Sequence, residues 1–224
     1  MRSVVSRIAL IGGVLASALV FFGPTVSALA ASDDWQTLML QGAELDQHKD
    51  LNGAIEKYRA ALALAPNNRV LRTNLAEDLN AVGAGLYANH DTQGAVDKFQ
   101  EAVTLVPSFE RAKANLGVAQ GTLFNAQGMA LFKNGDAAGA MDKFRQAVAA
   151  DPSNAGAQGN LAAAQGEVAM KAQDYTSAVA DFQKALSQAP SNTFLQGKVA
   201  EAQAALAAQQ AQQQADQAKD KPKQ

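Results

Sequence analysis

The chain has no cysteine and only two histidines, His48 and His90, and its aromatic content is one Trp, three Tyr and nine Phe. Without cysteine there are no disulfides, no thiolate nucleophile and no Cys-ligated zinc or iron–sulfur site. His48 and His90 stand beside Asp50 and Asp91, but a zinc site wants three or four convergent ligands, and the later part of the chain supplies no further histidine. No Ser-His-Asp set, phosphate loop or paired-carboxylate motif stands at a catalytic spacing, so no catalytic residue and no cofactor are expected. Basic runs are also missing: 19 basic and 21 acidic side chains give a net charge of −2, with no cluster able to neutralise successive phosphates. Nucleic acid is therefore not an expected partner.

What is abundant is alanine, within a hydrophobic fraction of 48%. Alanine buries little area but lets helices approach closely. The 224 residues suit one ordinary domain or two small ones. Residues 1–30 read as a signal peptide: Arg2 and Arg7, an apolar run over 8–22, then Ala28 and Ala30 as the small residues before a cleavage site. That run is shorter than the roughly 20 residues of a spanning helix. Export to the periplasm or outside of a bacterial cell is expected, with a membrane tether through an uncleaved N-terminal helix as the alternative. A mature chain from Ala31 carries 17 basic against 21 acidic residues, and freedom from cysteine suits an oxidising compartment.

The rest is repetitive. GAIEKYRAALALAP (53–66), GAVDKFQEAVTLVP (94–107), GAMDKFRQAVAADP (139–152) and SAVADFQKALSQAP (177–190) align column by column. Ala54, Ala95, Ala140 and Ala178 are followed four residues later by Tyr58, Phe99, Phe144 and Phe182, and seven later by Ala61, Ala102, Ala147 and Ala185. Offsets of four and seven share one helical face. Pro66, Pro107, Pro152 and Pro190 then end each helix. Four residues before each first alanine stands Asp50, Asp91, Asp136 or Asp174, an N-cap acceptor. Twelve before it stands Gly42, Gly83, Gly128 or Gly166, where a side chain of zero size implies a close helix crossing. Each unit is thus a helical hairpin.

Gly, then A-x3-[F/Y]-x2-A, then Pro: these residues resemble the tetratricopeptide repeat, over nearly all of 33–215. The resemblance implies an all-α fold, a right-handed superhelical solenoid whose first helices line a concave groove that binds a peptide or protein partner, with no catalysis. Hairpins are expected at about 33–66, 67–107, 108–152 and 153–190, with a capping helix over 191–215 and a disordered tail at 216–224. That terminal helix has a seam ending at Leu206, which leaves a self-associating coiled coil as an alternative.

The spacing departs from the family. The first alanines are 41, 45 and 38 residues apart, against 34 in the family. The surpluses of 7, 11 and 4 are close to whole turns at about 3.6 residues per turn, which places them inside the first helices. These are expected over about 69–89, 110–133 and 155–172, with Gly121 or Asn125 as an alternative break in the second of them.

Eight residues after the first three of those prolines stand Asn74, Asn115 and Asn160, each followed by leucine. In similar proteins this position often faces the groove and hydrogen-bonds a bound backbone, so the row is the expected partner-binding site on an exposed helix face. The carboxylate clamp of chaperone-binding relatives is not matched, because Met39, Ala43, Thr73, Ala114 and Gly159 stand where it wants Lys and Asn. His48 and His90 are read as exposed turn residues, the pairs Glu56-Lys57, Asp97-Lys98 and Asp142-Lys143 as a solvated outer face, and Trp35 as a cover for the open end of the first hairpin. The expected function is a non-catalytic adaptor in the cell envelope. A self-assembling homo-oligomer is the alternative, and a small-molecule or glycan carrier a third.

Overall fold

The computed structural model describes residues 34–219, so the signal peptide expected at 1–30 lies outside the described residues. Nine helices and no strand occupy the described residues: α1 Trp35–Gln47, α2 Leu51–Leu64, α3 Arg69–Ala88, α4 Thr92–Leu105, α5 Glu110–Lys133, α6 Ala137–Ala150, α7 Ala155–Lys171, α8 Tyr175–Gln188 and α9 Thr193–Lys219. They form four hairpins and a terminal helix. None is long and apolar enough to cross a membrane. The chain divides into two compact units, Met1–Leu116 and Gly117–Gln224, with the division inside α5.

The second helices α2, α4, α6 and α8 all have 14 residues, while α3, α5 and α7 have 20, 24 and 17. The surplus therefore lies wholly in the first helices, as the whole-turn surpluses require. Neither Gly121 nor Asn125 interrupts α5. Gly117 and Gly121 instead allow a close approach, since a Cβ there would meet the Ala150 carbonyl oxygen and the Asp151 Cβ, each at 2.7 Å.

Each aspartate of the cap row does two jobs. The carboxylates of Asp50, Asp91, Asp136 and Asp174 accept the amides of Gly53, Gly94, Gly139 and Ser177 at 2.9–3.1 Å, satisfying donors that the helix start leaves open. The Ser177 hydroxyl and amide hold Asp174 below the usual carboxylate range. The same aspartates donate their own amides to the carbonyls of Leu45, Leu86, Leu131 and Ala169, five residues back. That closes each first helix in a Schellman turn. The turn needs a left-handed residue just before the aspartate, and Lys49 (φ 62°), His90 (φ 65°), Gly135 (φ 82°) and Gln173 (φ 60°) supply it.

Within the first unit, Tyr58, Leu71, Leu75 and Leu79 build the core, with Trp35 half-buried against it. In the second unit Phe144 packs with Ala140 and Ala164, and Phe182 with Ala178 and Ala202. The glycine and aromatic columns face each other: a Cβ on Gly42, Gly83, Gly128 or Gly166 would lie 2.6–2.8 Å from a ring carbon of Tyr58, Phe99, Phe144 or Phe182.

α9 stacks as a first helix does. Lys171 of α7 donates its Nζ to the Gly135 carbonyl at 3.2 Å, and Gln209 of α9 donates its Nε2 to the Gln173 carbonyl at 3.3 Å, each across 36 residues. Lys198 adds ion pairs to Glu167 (2.9 Å) and Glu201 (3.1 Å), and the hydrogen bond its ammonium donates to Glu167 leads in holding it above the usual lysine range. The helix continues past the expected end at 215, through 216–218 to Lys219. Residues of high helix propensity (QQADQAK) follow Leu206 with no glycine or proline to stop them; the tail from 220 lies outside the described residues.

Candidate interaction groove

The asparagine row does not lie on a solvated face. Asn74 is buried, at 5% exposure, beside the likewise buried Asp78 on the next turn of α3. Asn115 and Asn160 are half-buried and spend one amide proton inside the stack. Asn115 Nδ2 donates to Oδ1 of Asn80 at 2.8 Å, and Asn160 Nδ2 donates to Oδ1 of Asn125 at 2.9 Å. The expectation of an exposed row is corrected on this point. A first helix lies between its predecessor and its successor, so a face that is polar by sequence is covered by another helix.

Both bonded pairs span 35 residues, and both tie a first helix to the one before it. The same separation relates Met39 to Asn74 and Ala163 to Lys198, where the first asparagine or both are missing. Sequence alone did not pair Asn80 or Asn125 with the asparagine row. The signal was present, because three residues before Gly83 and Gly128 the chain carries asparagine both times.

Around Asn160 the first helices leave a cleft of about 330 Å³. Met129, Phe132 and Lys133 of α5 line one side, Asn160 and Ala163 of α7 the other, and Phe144 reaches it from α6. Met129, at 54% exposure, presents its apolar side chain to this space. The cleft offers an apolar seat, one ammonium and one amide with a bonding site still open, since Asn160 carries two N–H groups and a carbonyl.

The remaining site expectations fall as follows. His48 and His90 are exposed in the turns, and no group of three His, Asp or Glu suited to a metal occurs among the described residues. In the outer pairs Glu56, Asp97 and Asp142 are exposed, but Lys57, Lys98 and Lys143 are half-covered. The Lys143 ammonium, for instance, lies 5.5 Å from the centroid of the Phe124 ring.

Residues 160–192 match the family profile described as tetratricopeptide repeat. No curated protein matches the chain. Among solved structures it is similar to a TPR repeats protein from Bacteroides fragilis, at 14% identity over 77% of this chain and 99% of that one, with a TM-score of 0.48. It is also similar to the TPR2AB domain of yeast Sti1 in its pHSP90 complex (16% identity, 77% and 84% covered, TM-score 0.32). A thermophilic TPR protein of Thermus thermophilus gives 18% identity, 75% and 81% coverage and a TM-score of 0.26.

Proposed function

We propose that this chain, a tetratricopeptide-repeat protein by its profile match at 160–192 and by the same columns recurring in every hairpin, is a non-catalytic adaptor of the cell envelope. Its partner is a peptide or protein seated against the first helices. The observation that carries the reading is the cleft between α5 and α7, where exposed Met129 stands across from Asn160. An apolar side chain of the partner fills the space beside Met129 and Phe132, and the open amide sites of Asn160 hold its backbone. Burying an exposed apolar surface favours association by about 25 cal/mol per Å². Envelope residence rests on the charged, apolar, small-residue order of residues 1–30. The asparagine row serves the same function mainly from within: Asn80–Asn115 and Asn125–Asn160 set the spacing of the helices that form the groove.

The test immobilises the chain from Ala31 and exposes it to detergent-solubilised envelope. A protein retained by the native chain and lost with Met129→Glu supports the reading. Identical retention by both removes this cleft as the working surface.

A further inference from the structure

A second cleft, in the first unit, has a different chemistry. It measures about 560 Å³, within the range of about 300–1,000 Å³ typical of sites that enclose a ligand. One wall is the opening of α3, with Arg69, Arg72 and Thr73; the floor is the connection from α4 to α5, with Val106, Pro107 and Phe109.

The cationic side is held in place. Arg72 Nε and Nη2 donate to the Pro66 carbonyl at 3.0 and 2.7 Å, which fixes the guanidinium and leaves its Nη1 protons for another acceptor. Gln158 and Gln196 repeat this brace, donating to the carbonyls of Pro152 and Pro190 at 2.7 and 2.9 Å. Of these three braces, that of α3 is the charged one. Arg111 does not line the cleft itself, but its guanidinium stands over the ring of the lining residue Phe109, 5.3 Å from the centroid. The lining itself has two guanidiniums, Arg69 and Arg72, and one carboxylate, Glu77.

We infer that this cleft binds an acidic peptide segment carrying an aromatic side chain: carboxylates engage Arg69, Arg72 and Arg111 while the ring packs on Val106, Pro107 and Phe109. Guanidiniums pair with carboxylates through directed hydrogen bonds, and the apolar floor adds what a bare anion does not use. The site is independent of the α5–α7 cleft and stands or falls without it.

The test titrates the chain into fluorescein-labelled DEFDE and reads anisotropy, with KKFKK and DESDE as comparison peptides. DEFDE should bind, at least tenfold more tightly than DESDE, while KKFKK should not bind. Arg69→Ser with Arg111→Ser should weaken DEFDE at least tenfold with the helical circular dichroism unchanged, and Phe109→Ala should weaken DEFDE while leaving DESDE as it was. Met129→Glu should change nothing. Absence of DEFDE binding, equal binding of DESDE, displacement of DEFDE by inorganic phosphate at constant ionic strength, or indifference to the double arginine change would each overturn the inference.

Discussion

Gly128 and Phe144 stand face to face: a Cβ added to the glycine would lie 2.6 Å from two carbons of the Phe144 ring. The same opposition occurs in all four hairpins. It explains why a residue that weakens helices sits inside each first helix, five residues before its end, since a ring pressed on the backbone is worth more than the lost propensity.

Gly128→Ala should therefore destabilise the protein although alanine is better in a helix by about 1 kcal/mol. Overpacking of this kind costs about 1–3 kcal/mol. Urea unfolding followed by circular dichroism checks the sign, and Phe144→Leu added to Gly128→Ala should give a smaller loss than the sum of the two single changes.

Asn115→Ala should cost about 1–3 kcal/mol, because it strips the partner from Asn80. Asn80 is only 6% exposed, so water cannot easily replace the lost bond. Replacing both residues by leucine removes the unsatisfied amide with its partner and should recover much of the loss. Chemical denaturation of the three variants decides between this pairing and a solvated asparagine row, for which Asn115→Ala would be neutral.

Three of the four turns between first and second helices hold a side chain in the left-handed region, at Lys49, His90 and Gln173. Each conformation costs a non-glycine residue about 1 kcal/mol. Lys49→Gly, His90→Gly and Gln173→Gly should each be neutral or stabilising by up to about 1 kcal/mol, and Gly135→Ala should destabilise by a similar amount. The midpoint of thermal unfolding is the measurement.

Much of this architecture was legible beforehand. The expected first helices at 69–89, 110–133 and 155–172 appear at Arg69–Ala88, Glu110–Lys133 and Ala155–Lys171, because proline and aspartate mark both ends and the apolar stripe is unbroken between them. The asparagines were less legible. Whether Asn74 meets water depends on neighbouring helices rather than on its own helix, and helical periodicity says nothing of that. The left-handed turns were hidden because only Gly135 advertises the conformation. The end of α9 at Lys219 is not legible from its stripe, because a fading apolar seam removes a reason for burial without removing helix propensity.

The surplus turns give a fourth prediction. At about 100° per residue, deleting 11 residues changes the phase of a helix by about 20°, whereas deleting nine changes it by about 180°. A chain lacking 117–127 should fold cooperatively, at reduced stability because the Gly117 and Gly121 contacts and the Asn125–Asn160 bond are lost. One lacking 117–125 should not, since its remaining α5 stripe would face water. Equal unfolding curves for the two deletions would count against a continuous α5.

The central claim, that the cleft between α5 and α7 receives a protein partner, is tested most directly by photo-crosslinking in intact cells. A benzophenone amino acid replaces Met129 in one strain and Gln146, on the exposed side of α6, in another. Irradiation should give a discrete heavier species, containing this chain and one other protein, from position 129 and not from 146. No adduct at 129, or the same adducts from both positions, would contradict the assignment.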